Sequence, residues 1–202
     1  MTKYIIGIDE CGAGSWAGDL IVSGVLAPET FSLDGLTDSK KLTKISRKNL
    51  INSIKSFNDL KYFIATYSSV EVDSFGLAKC LTSGYQKVFD ELYNKDLDIE
   101  VIVDGNRVKP IENTMGVNIK SIIKADLLMP IVSAASVLGK EYHDDLMRDV
   151  YDIKYPNYNF KSHVGYGTKE HSAAIDKFGI CEIHRKSYKP IAKFIKDNDV
   201  GR

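Results

Sequence analysis

Apolar and polar positions fall into blocks along the 202-residue chain, and two periods recur. Short dense apolar runs at 4–9, 20–26, 62–67 and 99–103 predict strands, and 116–123 is a fifth. The first two are joined by a glycine-bearing turn and lie close enough in sequence to pair antiparallel. Helical spacing appears at 44–57, where Ile45, Leu50, Ile51 and Ile54 recur behind Thr43 as N-cap, and at 75–93 through Leu77, Leu81, Val88, Phe89 and Leu92. A third helix is predicted over 131–151, whose small residues Ser133-Ala134-Ala135-Ser136 suit close packing on a sheet. Residues 155–167 read as an ordered loop. Beyond it, 168–178 is a helix capped by Thr168 and stopped by Gly179, and 190–197 is a last helix. This order predicts an α/β chain: a mixed five-stranded sheet flanked by helices, with a small helical C-terminal portion. We expect a core over 1–152 and a C-terminal portion over 153–202 that contributes substrate contacts.

The strands carry a repeated punctuation. The first ends in Asp9-Glu10 followed by Gly12 and Gly14, the fourth ends in Asp104-Gly105, and Asp126 follows another apolar stretch. Taken singly, each has an ordinary explanation: a solvated turn, an Asp-Gly turn, a surface aspartate. Together they place acids where strands end, and the carboxyl edge of an α/β sheet is where such folds hold ligands. Neighbouring residues on a strand face opposite ways, so Asp9 and Glu10 share one ion only if the strand bends at the glycines. Clustered carboxylates repel unless a cation lies among them, and hard oxygen donors select Mg²⁺ or Mn²⁺ over zinc. Such ions suit phosphodiester hydrolysis.

Composition narrows the partners. Lysine plus arginine and aspartate plus glutamate both total 27, which gives no global signal for a polyanion. Between Lys154 and Lys196, however, nine basic residues face three acidic ones, a local excess of +6, interleaved with Tyr155, Tyr158, Phe160, Tyr166 and Tyr188. Cations and aromatics in that mixture can pair with phosphates and stack on sugars or bases. The three cysteines are widely spaced without a CxxC, so we expect them reduced, in a cytoplasmic protein. No run approaches a membrane span, and no signal-peptide core follows Met1.

Seven blocks in order, Asp9-Glu10-Cys11-Gly12-Ala13-Gly14, Asp38-Ser39-Lys40-Lys41-Leu42, Val103-Asp104-Gly105-Asn106, Lys124-Ala125-Asp126, Ser133-Ala134-Ala135-Ser136, His163-Val164-Gly165-Tyr166-Gly167-Thr168 and Ile183-His184-Arg185-Lys186-Ser187-Tyr188, resemble the type 2 ribonucleases H, ribonuclease HII. The resemblance runs from Ile5 to about Pro190 and implies a ribonuclease H-like fold. It further implies a metal-dependent endonuclease, using Mg²⁺ or Mn²⁺, that cleaves the RNA strand of RNA/DNA hybrids. Duplex DNA would be cut 5′ of an embedded ribonucleotide, leaving 3′-hydroxyl and 5′-phosphate ends. By the same resemblance Asp9, Glu10, Asp104 and Asp126 are the catalytic metal ligands, and Gly12, Ala13 and Gly14 meet the ribose 2′-hydroxyl. Tyr166 packs on the neighbouring sugar, while Ser39, Lys40, Arg185 and Ser187 hold phosphates. Lys140 and His184 stay outside the catalytic set. A monomer without membrane association is expected.

The chain departs from the family pattern at Ala13, where an arginine is usual between the two glycines, and at Ser15 and Asp19, where prolines are usual. Ser162 and Val164 stand where lysines are common. One charge-assisted phosphate contact fewer is worth roughly 1.5 to 3 kcal/mol. Two alternatives stay open: a nuclease of the same fold with relaxed or altered sugar specificity, and a catalytically silent nucleic-acid-binding module.

Overall fold

The computed structural model describes residues 2–36, 43–105, 111–112 and 116–199. The expected phosphate contacts Ser39 and Lys40 lie outside the described residues, as does Asn106.

Strand β1 covers Lys3–Cys11 and β2 Leu20–Pro28. Helix α1, Lys44–Lys55, is capped by Thr43, whose side chain accepts from the Ser46 amide. After β3, Lys61–Tyr67, comes a short helix that the hydrophobic pattern did not predict, and the helix expected at 75–93 follows it as Leu77–Leu92. Helix α2, Ser69–Phe75, opens with a capping box in which Ser68 and Glu71 satisfy each other's backbone amides, and Gly76, at φ 84°, ends it before α3, Leu77–Leu92. Strands β4, Asp98–Asp104, and β5, Asn118–Ile122, precede the short α4, Ala125–Leu128, and α5, Pro130–Asp145. The helical path continues as a π-helical segment, Leu146–Tyr151, and α6, Asp152–Lys154. The stretch expected as a loop holds a 3₁₀ turn, Pro156–Tyr158, and α7, Phe160–His163. Helices α8, Lys169–Phe178, and α9, Lys189–Asp199, complete the chain, with Thr168 and Gly179 capping α8.

The sheet order is β3-β2-β1-β4-β5. β4 runs parallel to both β1 and β5. The Glu29 amide, just beyond β2, donates to the Lys3 carbonyl at the start of β1, so β2 runs the other way and the sheet is mixed.

The chain forms two compact units. The first comprises residues 1–11, 22–65 and 81–140; the second comprises 12–21, 66–80 and 141–202. In the first, the small residues of α5 allow the close packing their size predicts. A Cβ on Gly7 of β1 would lie 2.8 Å from the Val132 backbone nitrogen, so only glycine fits. Val25, Ile102, Val132, Ala134, Ala135 and Leu138 fill the core around that contact. In the second, Ala17, Met147, Tyr158, Phe160, Ile175, Ile183 and Ile191 form a separate core.

Candidate functional site

The strand register of the first unit decides where its acids go. Ile8 of β1 pairs with Val103 of β4, which makes Asp9 and Asp104 the next residues on adjacent parallel strands. Asp104 in turn faces Ile122 at the end of β5. Lys124 then turns through a left-handed conformation, φ 60°, to start α4, and the Asp126 amide comes to 3.5 Å from Asp104 Oδ1. The Ser133 hydroxyl of α5 donates to the Asp126 carbonyl and fixes that end of α4. Three acids distant in sequence thus arrive at one edge because their strands are neighbours.

Asp9 is 7% exposed, and α5 covers it. From Gly7 to Asp9 the strand advances about 6.6 Å, and four residues of helix advance about 6 Å. The helix that meets Gly7 at Val132 therefore brings Ser136 to Asp9, where its hydroxyl hydrogen-bonds the carboxylate. Burial raises the Asp9 pKa to about 7; the Ser136 bond opposes the rise, and the charges of Glu10 and Asp104 add to it. Glu10 is oriented differently. Its Oε2 accepts from the Tyr85 hydroxyl of α3 at 3.0 Å, and burial together with that carboxylate raises the tyrosine's pKa.

This corrects one expectation. The strand does not bend between the two acids, because β1 continues through Cys11, and Asp9 meets Ser136 of α5 while Glu10 meets Tyr85 of α3; no bend is needed to bring their charges together, since Glu10 and Asp104 both act on Asp9. Among the described residues, no three His, Cys, Asp or Glu side chains form a ready metal-holding group. The donors nonetheless fit a hard divalent ion: all four are carboxylates, Asp126 is only 6% exposed, and the charge on Asp9 is held at a cost that a cation would offset.

The second unit holds the other candidates among the described residues. Gly12, at φ 79°, has no room for a Cβ, which would lie 2.7 Å from the Asp19 carbonyl oxygen and 2.9 Å from the His143 ring. Gly14 is exposed, and a Cβ there would meet only the Tyr166 ring, at 3.9 Å. Tyr166 is 36% exposed, and its ring lies 6.1 Å from that of His143, centroid to centroid.

Arg185 and Ser187 have other tasks than the expected phosphate contacts. Arg185 is fully buried: Nε donates to the Gly18 carbonyl at 3.1 Å, and Nη1 donates to the Gly12 carbonyl at 2.7 Å and to the Tyr188 hydroxyl at 2.8 Å. The Tyr188 hydroxyl donates to the Ala13 carbonyl at 2.6 Å. A cation buried behind the glycine turn therefore holds it through its carbonyls, a task five fixed guanidinium donors suit better than an ammonium. The Ser187 amide and hydroxyl both donate to Asp73 Oδ1, and the Lys186 amide donates to Asp73 Oδ2. Asp73 thereby fastens the loop that carries Arg185. No sequence signal marked Asp73, which sits in α2, outside the helix expected at 75–93.

Of the aromatics expected to stack on nucleic acid, Tyr158 and Phe160 lie in the core of the second unit, and the Tyr155 hydroxyl donates to Glu182. Asp19 accepts from the Tyr151 hydroxyl at 2.9 Å; burial raises its pKa, while Arg185 and His143 draw it down. Among the described residues no helix is long and apolar enough to cross a membrane.

Comparisons with known proteins agree with this architecture. The family model described as Ribonuclease HII matches residues 6–191. The chain is 41% identical over 189 residues to the Ribonuclease HII of Sulfurovum sp. (strain NBC37-1), covering 93% of each chain. With that of Francisella tularensis subsp. novicida it shares 37% over 187 residues, 93% of this chain and 97% of the relative. Among solved structures, the RNase HII in a complex with PCNA from Archaeoglobus fulgidus superposes with a TM-score of 0.76 at 23% identity, over 94% of this chain and 96% of that one. The ribonuclease H2 of Pyrococcus horikoshii OT3 gives 0.74 at 21%, over 96% and 98%. Bst-RNase HIII, solved with Mn²⁺, gives 0.65 at 14%, over 97% and 70%. With a ribonuclease H fold and curated relatives matched over nearly their whole length, the chain belongs to the ribonuclease HII family and is a ribonuclease H2-type endonuclease.

Proposed function

We propose that this enzyme incises duplex DNA on the 5′ side of an embedded ribonucleotide and cleaves the RNA strand of RNA/DNA hybrids, leaving 3′-hydroxyl and 5′-phosphate ends. The observation that carries the catalytic half is the register that makes Asp9 and Asp104 neighbours on parallel strands, with Asp126 reaching Asp104 through its amide. In this reading Asp9, Glu10, Asp104 and Asp126 hold Mg²⁺ or Mn²⁺, which when bound supplies an activated water and charge stabilisation at the leaving oxygen. Ser136 orients the Asp9 carboxylate and Tyr85 that of Glu10.

Sugar recognition falls to Gly12, Ala13, Gly14 and Tyr166. A 2′-hydroxyl both donates and accepts, so a backbone turn that approaches closely can recognise it, and Gly12 and Gly14 permit that approach. The Tyr166 ring lies against the next sugar and senses whether that sugar also carries a hydroxyl. Ala13 brings no cation to the turn, and Arg185 supplies one from behind it. The test is cleavage, with Mg²⁺ and separately with Mn²⁺, of a labelled DNA duplex containing one ribonucleotide beside the same duplex without it. Incision of the first alone supports the reading. Equal cutting of both would replace it with a nuclease of relaxed sugar specificity, and binding without cutting would make the chain a silent binding module.

A further inference from the structure

The chain has four histidines, and all four are buried in the second unit. Two of them, His171 and His184, are joined by an Nε2 to Nε2 separation of 3.0 Å. The nearest backbone partner of each outer nitrogen fixes its role. His171 Nδ1 lies 3.0 Å from the Tyr166 carbonyl, which only accepts, so Nδ1 carries the hydrogen. The Cys181 amide, which only donates, lies 2.9 Å from His184 Nδ1, nearer than the Cys181 carbonyl at 3.3 Å, which already accepts from the His184 amide, so that nitrogen presents its lone pair. The Cys181 thiol, 3.2 Å from the same nitrogen and with a pKa raised by burial to about 11, keeps its proton and can donate as well. In neutral rings these assignments leave one arrangement: His184 Nε2–H donates to the lone pair on His171 Nε2.

The chain of bonds therefore has a direction, from the Cys181 amide through both imidazoles to the Tyr166 carbonyl. It holds only while both rings are neutral, since a second proton would set two N–H groups head to head. The surroundings favour neutrality. His163 stacks on His171 with centroids 4.4 Å apart, Trp16 and Phe160 border His171, and Tyr158 and Phe160 border His184. Burial lowers both pKa values to about 4, with the carbonyls beside His171 and Cys181 beside His184 opposing the drop and His163 adding to it.

What the bonds hold is a strained segment. Val164, a β-branched residue, sits at φ 41° and Gly165 at φ 83°, immediately before Tyr166. The Gly165 carbonyl accepts from the Trp16 and Ala17 amides, and the Tyr166 carbonyl also accepts from the Thr168 amide. The backbone on both sides of Tyr166 is thus fixed, while its ring, beside His143, remains partly exposed. We propose that His171 and His184 are positioning residues for sugar discrimination, setting the Tyr166 ring through a one-way hydrogen-bond chain that ends on the Tyr166 carbonyl. This rests on the reading of Tyr166 as the sugar-facing ring.

Two measurements test it. Long-range ¹⁵N–¹H spectra of the wild-type protein at neutral pH should show His171 as the Nδ1–H tautomer and His184 as the Nε2–H tautomer. The opposite pair, or a charged ring, overturns the chain. The functional readout is the ratio of kcat/KM for a duplex with one ribonucleotide to that for an RNA/DNA hybrid. His171→Leu, which cannot reach the carbonyl, should lower the ratio about tenfold, while His171→Asn, whose amide can still donate there, should keep it within about threefold. Tyr166→Ala separates the layers. If it lowers the ratio and His171→Leu does not, the proposal fails while the reading of Tyr166 stands; if it leaves the ratio unchanged, that reading fails and the positioning role with it. The ring spectra need no variant, so a folding failure in His171→Leu would not leave the question open.

Discussion

The acidic edge of the first unit and the glycine turn of the second solve opposite electrostatic problems. Along β1, β4 and α4 the strands force like charges toward one another, and Asp9 retains its charge with difficulty. In the second unit a buried cation, Arg185, donates to the carbonyls of Gly12 and Gly18, and two buried imidazoles are kept uncharged. One region stores repulsion that a divalent ion would relieve, and the other spends its hydrogen bonds on holding backbone still. Under the proposed roles, chemistry and recognition in this protein rest on different kinds of burial, and each can be broken without the other.

The largest effect expected is at the acidic edge. Asp104→Asn removes a carboxylate from the register that assembles the site and should cut kcat by about a thousandfold or more. Binding of a ribonucleotide-containing duplex, measured by fluorescence anisotropy, should survive. Cleavage close to wild type would take Asp104 out of the site.

Next comes the clamp. Arg185→Ala strands the buried Gly12 and Gly18 carbonyls and should destabilise the protein by about 3 kcal/mol in urea titration. Arg185→Lys should recover only part of this, because an ammonium cannot reproduce the guanidinium's fork. A loss below 1 kcal/mol, about the worth of a single ordinary hydrogen bond, would show that the clamp is not what holds the turn.

The pH responses should have opposite signs. Asp9 binds its proton more tightly in the folded protein, at a pKa of about 7 against 3.8, so its contribution to stability grows as pH falls through that window. His171 and His184 resist protonation in the folded protein, near 4 against 6.5, so their contribution is complete above pH 6.5 and is lost as pH falls toward 4. In metal-free protein taken from pH 7 to pH 5, amide exchange corrected for its intrinsic rate should show β1 and β4 gaining protection relative to α8 by on the order of 2 kcal/mol. Asp9→Asn should remove the first limb and leave the second. Parallel changes in the two regions would erase the contrast.

The smallest effect concerns backbone strain. Val164→Gly relieves a β-branched residue in the left-handed region and should stabilise the protein by about 1 kcal/mol, read as a higher Tm. A lower Tm would mean that the valine side chain contributes more by packing than its backbone costs.

Much of this molecule was legible in local signals. Strand-length apolar runs ending in Asp9-Glu10 and Asp104-Gly105 located the acids, and Thr43, Thr168 and Gly179 marked helix ends where the structure has them. These features depend on neighbours a few residues away, so the chain's own order reveals them. What a side chain faces depends on pairings made across the fold. The family resemblance implied that Arg185 and Ser187 hold phosphates, and a motif match does not say which way a side chain faces. Instead Arg185 reaches a carbonyl 173 residues earlier in the chain, and Ser187 a carboxylate 114 residues earlier. Helix α2 was missed because its seven residues are too few to show a helical period, and its start is marked only by the capping box of Ser68 and Glu71. By itself the sequence determined the strands, the caps and the positions of the acids, since propensity and periodicity act over a turn or two. Only the tertiary structure decided that Asp9 and Glu10 face different helices, that the second unit's cation points inward, and that two histidines form a line to Tyr166, because burial and partner choice are settled by segments that meet only once the chain has folded.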